Sequence, residues 1–304
     1  MIRKIKVSKV AQLTGHNASV FALSAGKDVG HFRSGGGEGW VAEWNLNDPE
    51  TGRLITKVDT QIFSLCPLHP DNRLVVGNMN GGAHWIDLDY PDFTKNILHH
   101  RKGIYGILHI ENFVFTIGGD GVLTKWDSLT AKTLESIQLS NQSLRCLAYS
   151  AQRQEIAVGA SDHALYFLDA SSLVLKKRID NAHQNSVFSI AYHPDNQHLL
   201  TGGRDAHLTI WRLDHYQKIN TQPAHWFTIN DLVFHPKGHL FATASRDKTI
   251  KIWDAYTFEL LKVLDTIRDG GHVNSVNALY WSAFSDYLIS GSDDRSIIIW
   301  QIEE

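Results

Sequence analysis

Four times the sequence sets a histidine 28 residues ahead of a tryptophan, with a serine or threonine and an acid at fixed places between them. The sets are His16, Ser34, Glu38 and Trp44; His183, Thr201, Asp205 and Trp211; His225, Thr243, Asp247 and Trp253; His272, Ser290, Asp294 and Trp300. A fifth, His100, Thr116, Asp120 and Trp126, follows the same order. Three chemistries use such residues. A hydroxyl, an imidazole and a carboxylate in contact make a hydrolytic triad. Histidines and acids can ligate a metal. A buried carboxylate that needs partners can also take them from imidazole N–H, hydroxyl and indole N–H, which is a purely structural use.

The elements that position these residues follow from their period. Trp44, Trp126, Trp211, Trp253 and Trp300 share one place with Ile86 and Leu168, and the steps between successive places are 42, 40, 42, 43, 42 and 47 residues. A step of about 40 to 45 residues is one four-stranded propeller blade. Six residues before each place stands an acid or Asn80, and four residues earlier stands a hydroxyl, or Val76 and Val158. In the sixth repeat INDLVF, HLFATA, TIKIW and ELLKVL are short β-rich runs separated by HPKG, SRDK and DAYT, the turn chemistry of an antiparallel meander. The reading is a single all-β domain over 1–304, a seven-bladed β-propeller with four antiparallel strands per blade.

On these residues the chain resembles the WD-repeat family, most clearly in ASRDKTIKIWD, Ala244 to Asp254. The resemblance covers nearly the whole chain. It implies a histidine in the loop entering each blade, a hydroxyl on the second strand, an acid in the tight turn and a tryptophan on the third strand. Blade one departs by carrying Glu38. Blades two and four carry Val58 and Ser140 where histidine is expected, so their networks are expected to be degenerate. The chain ends on the third strand of blade seven, so Ile5 to Leu13 is expected to supply the missing fourth strand and close the ring.

Repetition favours the structural use of the polar residues. An enzyme needs one exposed nucleophile, and no Gly-x-Ser-x-Gly elbow is present. Of 17 histidines, five hold the entering place, and His69, His193 and His235 begin His-Pro hairpin turns. One histidine per blade cannot converge on one ion, so neither a metal nor another cofactor is expected. SGGGEGW at 34–40 fails the Gly-x-Gly-x-x-Gly spacing and reads as a turn rather than a phosphate cradle. Lys176, Lys177 and Arg178 read as a solvated outer strand.

Composition narrows the function classes. The chain has 43% hydrophobic and 20% charged residues and a net charge of −3, so no basic field draws nucleic acid. No apolar run approaches a membrane span, so membrane insertion is not expected. The N-terminus alternates polar and apolar residues where a secretory signal would be continuously apolar. Cys66 and Cys146 are the only cysteines and form no Cys-x-x-Cys pair. A cytoplasmic protein is expected, which leaves the Asn17-Ala18-Ser19 and Asn141-Gln142-Ser143 glycosylation patterns without weight.

Resemblance to WD-repeat proteins implies a non-catalytic scaffold that holds partner proteins. The alternative is a metal-dependent, lactonase-like propeller hydrolase with ligands on the innermost strands. Those strands offer one acid, Asp231, and one histidine, His109. Two positions of the repeat are implied to point out of the docking face. Five residues after the entering place these are Phe21, Phe63, Tyr105, Arg145, Phe188, Asn230 and Asn277. One residue before the acid they are Gly37, Met79, Gly119, Ser161, Arg204, Arg246 and Asp293. Aromatics, methionine and arginine around one channel mouth match the composition of interface hot spots. The expected partner is a protein whose peptide or loop carries apolar and acidic residues, the acids meeting Arg145, Arg204 or Arg246. The five extra residues between Trp253 and His272 are expected to project from the same face.

Overall fold

The computed structural model describes residues 5–303 and arranges them as seven four-stranded antiparallel sheets. Blade one runs from its innermost strand, Val20–Ala25, through His31–Gly36 and Trp40–Asn45 to Asp48–Lys57 outermost. The other innermost strands are Ile62–Leu68, Ile104–Ile110, Leu144–Ser150, Val187–Tyr192, Ile229–Phe234 and Val276–Trp281. Each packs beside the next, and the last returns to the first, which closes the ring.

Burial follows strand position and accounts for the composition of each strand. Second strands such as Glu155–Ala160 and Leu240–Ser245 are buried along their whole length and read as apolar runs without alternation. Outermost strands such as Leu175–Ile179, with Lys176, Lys177 and Arg178, lie largely in water. Between blades the approach is close enough to require glycine. A Cβ on Gly202 would come within 2.6 Å of Ile229 in the next blade, and one on Gly291 within 2.7 Å of Val20. Gly35, Gly77 and Gly159 meet Ile62, Ile104 and Val187 in the same way, so in five blades a β-branched residue of the next innermost strand fills the space the glycine leaves.

The strand Lys6–Leu13 pairs antiparallel with Ile297–Glu303, setting Lys6 opposite Glu303 and Leu13 opposite Ile297. The N-terminal strand therefore completes blade seven as the sequence implies, and a sheet edge is removed. Ile5 lies just outside the strand and packs against the core of blades six and seven. No helix among the described residues is long and apolar enough to cross a membrane.

Candidate functional site

The repeated polar residues meet inside each blade. In blade five His183 Nδ1 lies 3.1 Å from both Asp205 oxygens and Nε2 lies 2.8 Å from Thr201 Oγ1, while Trp211 Nε1 donates to the same hydroxyl at 2.8 Å. His225 with Asp247, Thr243 and Trp253, and His272 with Asp294, Ser290 and Trp300, repeat this arrangement. So do His100 with Asp120, Thr116 and Trp126, and His16 with Glu38, Ser34 and Trp44. The acid also accepts the backbone N–H that follows the histidine, from Arg101, Gln184, Trp226 and Val273.

The electrostatics fix the proton order. Burial holds His225 below the ordinary imidazole range, so it is neutral at pH 7. Burial works to raise Asp247, but hydrogen bonds from His225, Thr249 and the Trp226 N–H outweigh it and hold the carboxyl well below the usual range. Nδ1–H then donates to the carboxylate, Thr243 O–H donates to Nε2, and the indole N–H donates to Thr243. The hydroxyl that a hydrolase would use is fully committed, and Thr201, Thr243 and Ser290 are wholly buried. This is a brace, not a triad.

Blades two and four are braced too, which corrects the expectation of degenerate networks. Both set a polar ring two residues before the tryptophan place, and that ring replaces the missing histidine. In blade four Tyr166 donates to Asp162 at 2.5 Å and Ser140 donates at 2.7 Å. In blade two His84 Nε2 lies 2.9 Å from Asn78 Nδ2, and Asn78 donates to Asp59 at 2.7 Å. Asn78 Oδ1 accepts the N–H groups of Asn80 and Gly82, bonds that Ser245 Oγ and the Asp247 carboxylate accept in blade six.

Among the described residues His193, Asp195 and His198 come near enough to suit a metal ion. Their bonds identify a hairpin turn instead. His193 Nε2 donates to Ala255 O at 2.9 Å, and its Nδ1 accepts the Asp195 N–H at 3.0 Å. Both ring nitrogens are thus engaged. Asp231 and His109 do not converge either: Asp231 accepts the Leu232 and Leu279 N–H groups beside the channel, whereas His109 lies in the field of His69, Arg73 and Asp71 on the hairpin side.

The seven residues of the first expected set come together around the channel. Every innermost strand carries a β-bulge at the same place, and the bulged residues are Phe21, Phe63, Tyr105, Arg145, Phe188, Asn230 and Asn277. A bulge breaks the alternation of a strand and re-aims a side chain. All seven line a channel mouth of about 560 Å³. Ring centroids lie 5.5 Å apart for Phe21 and Phe63, and 5.3 Å for Phe63 and Tyr105. The Arg145 guanidinium then lies 4.6 Å from Tyr105 and 5.1 Å from Phe188. Asn230 and Asn277 complete the collar and bond inward, to Val276 O and to Val20 O and Asp293.

The second set surrounds the first. In all seven blades the residue before the acid donates its N–H to a carbonyl of the entering loop, from Gly37 to Ser19, Met79 to Gln61, Gly119 to Gly103, Ser161 to Ser143, Arg204 to Ser186, Arg246 to Thr228 and Asp293 to Ser275. Met79, Arg204 and Arg246 are exposed. The others offer less to a partner: Gly119 is buried, Gly37 is half-buried, Ser161 accepts from Arg145, and Asp293 is held by Asn277.

Four apolar residues of this face escaped the sequence reading. Trp226 is 86% exposed, Phe227 57%, Val273 61% and Ile267 95%. Trp226 and Val273 directly follow an entering histidine, and their N–H groups cap Asp247 and Asp294, which turns the side chains outward. An apolar residue at that place was the available signal. The extra residues of blade seven form a single helical turn, Thr266–Asp269, capped by Asp265 and tied by Lys9 to Gly270 O at 2.7 Å and by Lys262 to Asp269 at 2.8 Å. Ile267 therefore stands in water on an anchored turn.

The WD domain, G-beta repeat family model matches residues 175–212, 216–254 and 260–301. Each match begins at or near the outermost strand of one blade and ends on the third strand of the next. WD repeat-containing protein 90 of Xenopus tropicalis is 32% identical over 146 residues, which is 45% of this chain and 8% of that protein. Protein tipD of Dictyostelium discoideum is 24% identical over 295 residues, 95% of this chain and 48% of its own. Actin-interacting protein 1 of Drosophila melanogaster is 23% identical over 301 residues, 95% of this chain and 40% of its own. The chain spans less than half the length of each of these relatives. The WD40 beta propeller domain of Doa1 superposes with a TM-score of 0.85 over 97% of both chains at 17% identity.

Proposed function

We propose that this chain, which belongs to the WD-repeat β-propellers, is a non-catalytic cytoplasmic scaffold that docks a peptide or loop of a partner protein on the face bearing the entering loops. One observation carries the reading: aromatic and cationic side chains collect on that face without partners of their own. Arg204, Arg246, Lys248 and Arg295 are exposed and make no side-chain bond among the described residues, and Trp226, Phe227 and Val273 stand in the adjoining loops. A docking segment with apolar and acidic residues satisfies both groups, because desolvated aromatics and arginine are the usual anchors of an interface. The name of actin-interacting protein 1 assigns a protein partner to that relative, and a protein partner is proposed for this chain as well.

The test is affinity purification from the native cell, read by mass spectrometry, with wild type and a variant carrying Arg204→Glu, Arg246→Glu and Phe63→Ala. These side chains lie on the face or collar and outside the braces. Partners held by wild type and lost by the folded variant support the reading; undiminished capture moves the docking site elsewhere on the ring.

A further inference from the structure

The opposite face carries a groove that the braces and the channel do not account for. It lies between blades two and three, beside the hairpin His69–Asn72 and the connection that follows Asp87, and encloses about 490 Å³. That volume lies within the range of ligand pockets. Its floor is buried and apolar, with Leu74 and Trp85. Its two lips come from different blades: Phe93 is 69% exposed and Leu129 is 74% exposed.

The lips are held, not loose. Asp87 Oδ1 accepts the N–H groups of Asp89 and Tyr90, and the turn Pro91–Phe93 follows. Tyr90 then packs on Phe93 with ring centroids 6.0 Å apart. Lys95 donates to Thr130 O at 2.8 Å, which ties the blade-two connection to the blade-three turn carrying Leu129. Fixed apolar side chains in water mark a surface that something else covers.

Charge selects the occupant. Asp71, Asp87 and Asp89 line the groove against Arg73 and Lys95, and Asp92 stands in the adjoining turn Pro91–Phe93. Arg73 is bridged to Asp71 at 2.8 Å, and Lys95 is engaged with a carbonyl. Asp71 and Arg73 cancel each other, and Asp87, Asp89 and Asp92 outnumber Lys95, so the rim keeps a net negative charge, where the entering-loop face is rich in unpaired arginine. We propose that this groove is a second docking site and takes a basic segment of a partner protein, with one bulky apolar side chain seated between Phe93 and Leu129. Opposite charge preferences on the two faces let the ring hold two different partners at once.

The experiment selects phage-displayed random peptides of about twelve residues on the full chain, then measures their affinities for wild type, for Phe93→Ser/Leu129→Ser and for Arg204→Glu/Arg246→Glu. Both groove side chains are exposed, and an unchanged thermal midpoint confirms that the double variant folds. The expected result is a class of peptides with lysine or arginine beside a large apolar residue. These should weaken about tenfold or more on the groove variant, weaken further in salt, and bind the arginine variant as they bind wild type. The proposal is overturned if the groove-dependent peptides are acidic or uncharged, or if no selected peptide distinguishes wild type from the groove variant. Loss of binding on the arginine variant alone would speak for the entering-loop face and against the groove.

Discussion

The guanidinium of Arg145 lies over the ring of Tyr105 in the preceding blade, 4.6 Å from its centroid, and 5.1 Å from the ring of Phe188 in the following blade. Three blades thus share one stacked cation at the channel mouth. Its Nε donates to Ser161 Oγ at 2.8 Å, and no carboxylate pairs with it among the described residues.

Arg145→Ala should therefore cost about 1 to 2 kcal/mol, the worth of two cation–π contacts that are partly withdrawn from water. Arg145→Lys should recover only part of it, because an ammonium lacks the planar face that stacks on a ring and the fixed Nε donor to Ser161. Denaturant titration checks this, and equal stabilities of the lysine and wild-type proteins would count against the stack.

The braces differ in how many donors each acid serves. Asp247 accepts from His225, the Thr249 hydroxyl and the N–H groups of Trp226 and Thr249. Asp162 accepts from Ser140, Tyr166 and the Ala164 N–H. Orphaning buried donors costs roughly 1 to 3 kcal/mol each. Asp247→Ala should destabilise more than Asp162→Ala, yet the latter should still fall measurably below wild type. A neutral Asp162→Ala would show that the Tyr166 brace carries no weight.

Deleting residues 1–13 removes the strand that pairs with Ile297–Glu303 and exposes Ile297, Ile299 and Trp300 along a sheet edge. Most of the thermal stability should be lost, with aggregation through the bared strand. An unchanged midpoint would mean that blade seven is stable with three strands.

Two acids should give opposite pH dependences. The braces hold Asp247 low, so its contribution is present above the unfolded pKa near 4 and disappears as pH falls through the lower folded value. Burial pushes Asp231 up to about 6, so the folded protein binds its proton more tightly and stability falls as pH rises from about 4 to 6. Compared with Asp231→Ala, the wild type should gain on the order of 2 to 3 kcal/mol between pH 7 and pH 4. Parallel stability curves for the two proteins across that range would refute the assignment.

The repeat made much of this molecule readable before any coordinates. The period gave seven blades, the offsets among His183, Thr201, Asp205 and Trp211 gave the brace, and the third-strand ending gave the N-terminal closure. The period and the offsets are relations within one blade, where sequence spacing maps directly onto strand register, whereas the closure pairs Lys6 with Glu303 across the whole chain and follows from the need to cover a sheet edge. Even the collar residues could be named, because resemblance to the WD-repeat family assigns them a place in the repeat. That they touch was decided by tertiary structure, because seven bulges turn them toward a common axis. Blades two and four show the same limit at shorter range: His84 and Tyr166 replace the missing histidine from another strand, so the brace survives while its sequence offset does not. Trp226, Ile267 and the Phe93–Leu129 groove depend on which loops stand side by side. A sequence period orders residues along the chain, but only the packing of sheet against sheet brings together side chains that no fixed offset connects.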